Sequence, residues 1–150
     1  MLGICYRYTG NKQVSEDLLH DGFIRVFESI HEFHYRGVGS LKAWIRKIFV
    51  NVSLEYLRAN AQKTTVPVEE WQDLEPIRDE EFESVPADVL MRFITELPAG
   101  YRTVFNFYVF EEMSHKEIAK MLHINEVTSR SQLARAKTLL AQKVKAYMNH

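Results

Sequence analysis

The chain has 150 residues, 46% hydrophobic and 26% charged, a globular balance that excludes a disordered tail, and its six Gly and four Pro are too few for a turn-rich all-β protein. A single cysteine, Cys5, excludes an intramolecular disulfide and a thiolate zinc cluster. The net charge of −1 hides blocks of +3 over residues 1–66, −8 over 67–90 and +4 over 91–150, so two basic ends suited to a polyanion flank a strip that should avoid one.

The first eight residues, Met1 to Tyr8, are apolar but broken at Arg7, too short for a signal segment. No stretch approaches the ~20 apolar residues that cross a membrane, so the cytoplasm is the expected compartment and no membrane insertion is expected. Leu18, Leu19, Phe23, Val26, Phe27 and Ile30 predict an amphipathic helix from Ser15 to His31. Ser15 is its expected N-cap, Glu16 and Asp17 oppose the positive end of the dipole, and Phe23 and Phe27 are assigned to the core. Tyr35-Arg36-Gly37-Val38-Gly39 breaks the pattern. Ser40 is expected to cap a second helix, with Leu41, Trp44, Ile45, Ile48, Val52, Leu54 and Leu57 inward, ending near Ala61.

Periodicity is lost from Lys63 to Val85, an acidic stretch punctuated by Pro67 and Pro76. It is too long for a loop within one compact domain and reads as a linker. Pro86 marks the first turn of a helix with Val89, Leu90, Phe93, Ile94 and Leu97 inward. Pro98 opens another, with Val104, Phe105, Tyr108 and Val109 inward. The expected fold class is all-α: two small helical domains, 1–62 and 86–150, joined by an acidic linker over 63–85.

The richest stretch begins at Met113. Ser114 followed by Glu117 is a capping box and starts a short helix. His123-Ile124-Asn125 interrupts it, and Asn125 caps a longer helix toward Tyr147. Small Ala119 suits a close crossing, with Ile118, Leu122, Ile124 and Leu133 wedged between the two helices. Ser129, Leu133, Ala136 and Leu140 share the inner face of the second helix. Val127, Arg130, Ser131 and Ala134 lie opposite, flanked by Thr128 and Arg135. From Met113 onward seven Lys/Arg stand against two acids. A short helix, a tight turn and a cationic helix with small outer residues predict a helix-turn-helix that enters a major groove. Its candidate DNA-contacting residues are Val127, Thr128, Arg130, Ser131, Arg135, Lys116 and Lys137.

A second constellation interleaves rings and cations: Phe33, His34, Tyr35, Arg36, Lys42, Trp44, Arg46, Lys47, Phe49 and Asn51. Such cations can hold phosphates, and a ring or pocket can receive an unstacked base. Tyr35, Lys42, Arg46 and Asn51 are the candidates, while Trp44 is assigned to core packing because Leu41, Ile45 and Ile48 share its side.

The stretch SHKEIAKMLHINEVTSRSQLARAKTLL resembles the fourth conserved region of extracytoplasmic-function (ECF) sigma factors, and LPAGYRTVFNFYVFEEM resembles the helix before it. Independently, SEDLLHDGFIRVF and SLKAWIRKIFVNVSLEYLR resemble the family's second region, and the similarity spans about Tyr6–Ile30, Gly39–Gln62 and Ala87–Lys145. The resemblance implies a subunit that directs core RNA polymerase to promoters. The helix-turn-helix would read the minus-thirty-five element, and Tyr35, Lys42, Arg46 and Asn51 the minus-ten. Asp17, Leu18, Asp21, Phe23, Ile24 and Arg25 would dock on the polymerase. Core RNA polymerase, promoter DNA and an anti-sigma factor are the partners it implies. His123 stands where the family has Gly, and a left-handed non-Gly residue costs roughly 1 kcal/mol. Family members also carry residues ahead of the segment that Met1 begins, so the first domain is expected to be short of apolar cover.

Enzyme chemistry is not expected. His31 and His34 lack zinc-binding spacing, and the chain has neither a phosphate-cradling glycine loop nor a nucleophile elbow. No cofactor or metal is expected. Two other readings fit the residues by themselves: a helix-turn-helix regulator that binds duplex DNA without polymerase, and a module whose basic helix binds an acidic protein.

Overall fold

The computed structural model describes residues 1–60 and 82–149. Seven α-helices occur among them: α1 (Leu2–Thr9), α2 (Lys12–Ser29), α3 (Ser40–Ala59), α4 (Ala87–Thr95), α5 (Ala99–Val109), α6 (His115–Leu122) and α7 (Glu126–Met148). The chain divides into two compact units, Met1–Lys63 and Thr64–His150.

In the first unit α1, α2 and α3 pack against one another. The apolar start is itself a helix, with Ile4, Cys5, Arg7 and Tyr8 buried. Gly10 ends it in the left-handed region at φ 67. Asn11 then starts α2 by accepting the Val14 N–H on its side-chain oxygen at 3.1 Å. The helix therefore begins three residues before the expected start, and Ser15 is not its cap. Ser15 is fully buried, its hydroxyl donating to the Asn11 carbonyl at 2.6 Å.

The buried stripe of α2 is Ser15, Leu18, Gly22 and Val26, which turns Phe23 and Phe27 away from the centre. Phe27 is 74% exposed, against the core assignment made for it, and Phe23 is 38% exposed. The stripe is narrow because α2 crosses α3 closely at Gly22. A Cβ there would collide with the ring of Phe49.

The register of α3 also differs. Its core residues are Phe49, Val50, Val52, Ser53 and Leu54, while Leu41 is 44% exposed and Trp44, Ile45 and Ile48 are half-buried. Gly39 at φ 86 is the N-cap, not Ser40. The Ser40 hydroxyl instead closes the preceding turn, donating to Gly37 O at 2.8 Å and accepting the Arg36 N–H at 3.2 Å.

The acidic linker expected over 63–85 lies outside the described residues except for its end. There Val85 is buried and belongs to the core of the second unit, with Phe93, Ile94, Leu97, Ala136, Leu140 and Val144. Pro86 and Pro98 are the N-caps of α4 and α5. On α5 the inward residues are Thr103, Val104, Asn106 and Phe107. Tyr108 and Val109, expected inward, are 39% and 44% exposed. Arg102 is also buried, and burial pushes its guanidinium below its ordinary pKa. It donates to the carbonyls of Thr95 at 2.7 Å and Leu97 at 3.3 Å, placing a cation at the negative end of α4.

Candidate nucleic-acid interface

The helix-turn-helix is built by three local devices. The first is the capping box: the Glu117 N–H donates to Ser114 Oγ at 3.2 Å and the Ser114 N–H to Glu117 Oε2 at 3.1 Å. The second is His123, which ends α6 in the left-handed region at φ 56, ψ 42. The third is Asn125, whose Oδ1 accepts the Thr128 N–H at 2.7 Å to start α7. Ile118 and Ala119 are buried where α6 meets α7.

On α7 the expected division of faces is present. Ser129, Leu133, Ala136 and Leu140 are buried. Val127 is 68% exposed, and Arg130, Ser131 and Ala134 are exposed, with Thr128 half-buried. Arg130 is engaged by Glu126 one turn earlier, Nη2 to Oε2 at 3.2 Å, yet its side chain remains 57% exposed. An exposed i,i+4 pair is worth roughly 0.3–0.5 kcal/mol, so it yields readily to a better acceptor. Arg135 departs from the outer set: it is half-buried, with Nη1 within 3.4 Å of Tyr101 Oη on α5. Lys116 and Lys137 are exposed.

Sequence reasoning missed a bracket behind this surface. Tyr108 stacks on His115 with centroids 4.9 Å apart, Lys137 Nζ lies 5.8 Å from the centroid of the Tyr108 ring, and His115 Nδ1 is 2.8 Å from Ser129 Oγ. One short cluster thus ties α5, α6 and α7 together. Its only trace in the sequence is a histidine just after the capping serine, which reads as a surface residue.

In the first unit, Phe33 and Trp44 pack with ring centroids 5.4 Å apart. Beside them is a pocket of about 330 Å³ lined by Glu32, Phe33, His34, Arg36, Ser40, Trp44 and Lys47. Of the minus-ten candidates, Tyr35 is 71% exposed on the 33–39 loop, which supplies Phe33, His34 and Arg36 to that lining, Lys42 is exposed, and Arg46 and Asn51 are half-buried. None of the four lines the pocket. The cations that do, Arg36 and Lys47, stood in the aromatic-cationic stretch but were not selected from it.

Of the polymerase-docking candidates on α2, Asp17, Asp21, Ile24 and Arg25 are exposed. Phe23 meets Phe49 edge-on at 5.1 Å. Leu18 is 7% exposed and serves the core, so it offers little to a partner. Arg25 grips Glu55 of α3 with both terminal nitrogens, at 3.0 and 2.6 Å. That hydrogen-bonded contact holds the Glu55 carboxyl below its ordinary pKa and raises that of Arg25. The pair borders a groove of about 460 Å³ shared with Leu18, Asp21, Ile24, Glu28, Val52 and Tyr56. No helix among the described residues is long and apolar enough to cross a membrane.

Comparison with known proteins gives one consistent result. Residues 1–63 match the family model Sigma-70 region 2, and residues 87–140 match Sigma-70, region 4. The ECF RNA polymerase sigma factor SigM of Bacillus subtilis is 27% identical over 143 residues, covering 94% of this chain and 83% of that protein. ECF RNA polymerase sigma factor SigE of Mycolicibacterium smegmatis is 28% identical over 142 residues, 91% of this chain but only 54% of that longer protein. Among solved structures, the sigma factor RpoE of Bartonella quintana, crystallised with the anti-sigma factor NepR, superposes with a TM-score of 0.58 at 17% identity, over 96% of this chain and 89% of that one.

Proposed function

The chain belongs to the sigma-70 family, in its ECF branch, and we propose that it directs core RNA polymerase to specific promoters and initiates transcription there. The observation that carries the proposal is the coexistence, in one short chain, of an open small-residue cationic face on α7 and a ring-and-cation pocket beside Trp44. A regulator that only binds duplex DNA needs the first and has no use for the second.

In this reading α7 lies in the major groove of the minus-thirty-five element. Arg130 offers a planar fork to guanine, Thr128 and Ser131 reach bases or phosphates, and Val127 and Ala134 let the helix approach. Lys116 and Lys137 meet phosphates, which fix register and carry no sequence information. Arg135 supports the helix from its inner flank, beside Tyr101. At the minus-ten element Tyr35 and the Phe33–Trp44 pocket receive an unstacked base, while Lys42, Arg46, Asn51, Arg36 and Lys47 hold displaced backbone.

The exposed side of α2, with Asp17, Asp21, Phe23, Ile24 and Arg25, docks on the polymerase. The apolar surface of Phe23, Ile24 and Phe27 is also what an anti-sigma factor would cover, and the Bartonella relative is in complex with a protein of that kind. The domain assignment follows: 1–62 for polymerase and minus-ten binding, 86–150 for minus-thirty-five binding, with 63–85 joining them. The chain acts where core polymerase is, in the cytoplasm, as a non-enzymatic initiation factor.

The test is gel filtration of the chain mixed with core RNA polymerase, then binding of the purified complex to a duplex whose minus-ten strands are premelted. The sigma reading expects comigration and preference for the premelted template over the closed duplex. A chain that binds duplex DNA alone and never comigrates with polymerase contradicts it.

A further inference from the structure

The face that α7 leaves open is not uniformly cationic. Glu126, its first residue, lies one turn before Arg130 and accepts a hydrogen bond from Arg130 Nη2 at 3.2 Å. The two side chains are 45% and 57% exposed, so neither is committed to the interior. Nor does the helix need Glu126 as its cap, because Asn125 already takes the Thr128 N–H at 2.7 Å. A carboxylate on the first turn does suit the helix dipole. On a turn offered to a polyanion, however, it opposes binding: it repels phosphates and occupies a guanidinium.

We infer that Glu126 is a specificity-determining positioning residue, holding Arg130 in an internal ion pair that DNA must replace. The inference rests on the proposal that α7 reads the minus-thirty-five element. A guanine edge presents two acceptors in the geometry of the guanidinium fork and displaces a weak exposed pair. A phosphate offers one more anionic oxygen in place of the one given up, and Glu126 repels it as well. The carboxylate therefore lowers binding to every sequence while leaving the cognate contact nearly whole, which widens the gap between the two.

The experiment uses the full chain bound to core RNA polymerase. Its probes are a duplex pool with a randomised hexamer, the duplex that the wild type selects from that pool, and a random-sequence duplex. Glu126→Gln keeps the shape and removes the charge. Affinity for the random duplex should rise about threefold at moderate salt, with a salt dependence steeper by about one phosphate contact. Affinity for the selected duplex should change less, so discrimination falls. Glu126→Asp restores the charge and should restore discrimination. In an Arg130→Ala background, Glu126→Gln should leave the ratio of the two affinities unaltered.

A purely structural role at the helix start would lower both affinities together. That result, or a Glu126→Gln chain that discriminates as well as the wild type, overturns this inference alone. A wild type that selects no sequence overturns the reading of α7, and this inference with it.

Discussion

At the scale of single residues, two positions on the helix-turn-helix carry separable consequences. His123 holds a left-handed conformation, φ 56, with a side chain that disfavours it. Replacing it by Gly removes the Cβ conflict at some cost in unfolded-chain entropy, so His123→Gly should stabilise the second unit by roughly 0.5–1 kcal/mol. Thermal or urea unfolding reads this, and a loss of stability would mean that the imidazole itself supports the turn. On the proposed reading of α7, Arg130 and Lys137 divide the labour of DNA binding. Arg130→Ala should weaken binding to the preferred site by roughly 1–3 kcal/mol and relax one base position. Lys137→Ala should lower the salt dependence of binding with little change in sequence preference. Titrations at several salt concentrations separate the two effects, and equal effects of both variants on all sequences would contradict the assignment.

At the scale of helices, the first unit depends on one close crossing and one surface clasp. Gly22 leaves room that the fully buried ring of Phe49 occupies. Gly22→Ala must push α2 from α3 or force Phe49 off its rotamer, and should cost roughly 1–3 kcal/mol of stability despite Ala being the better helix former. An unchanged urea midpoint would show that the crossing is looser than described. The Arg25–Glu55 clasp gives a pH dependence of definite sign. The carboxyl of Glu55 is lowered from an ordinary value near 4.5. Its contribution to stability is therefore present above that value and is lost as the pH falls through the depressed one. Glu55→Gln should lower the urea midpoint at neutral pH and make no difference at pH values acidic enough to protonate Glu55. A midpoint difference that persists in acid would assign the effect to packing.

Legibility in the sequence varied between elements for identifiable reasons. Around α6 and α7 the devices that set the helix ends and the inner face are local: a serine with a glutamate three residues on, an asparagine cap, and an inner stripe of Ser129, Leu133, Ala136 and Leu140, whereas the Tyr108–His115 bracket is tertiary. Local devices are readable from sequence alone. The register of α2 and α3 was not, because it is fixed by tertiary contact. The stripe of α2 is built on Ser15 and Gly22, residues that no hydrophobicity count selects, and this turns Phe27 outward. On α5, Asn106 and Phe107 take the inner positions assigned to Tyr108 and Val109, since Tyr108 is drawn to His115. The start of α2 was recoverable: Gly10 followed by Asn11 is a helix stop next to a helix cap.

At the scale of the whole molecule, the near-neutral total conceals basic ends on either side of an acidic stretch, a layout that suits the proposed contact of two promoter elements by two separate units. Only a chain that also engages polymerase needs both. The most direct measurement is therefore run-off transcription by core RNA polymerase on a pool of bacterial genomic fragments, with and without this chain, together with permanganate footprinting of the opened strand. The account predicts transcripts from a discrete set of start sites that appear only with the chain, each preceded by an opened minus-ten segment, and their loss with Arg130→Ala. Unchanged transcription in the presence of the chain, with no strand opening on any fragment, would contradict it.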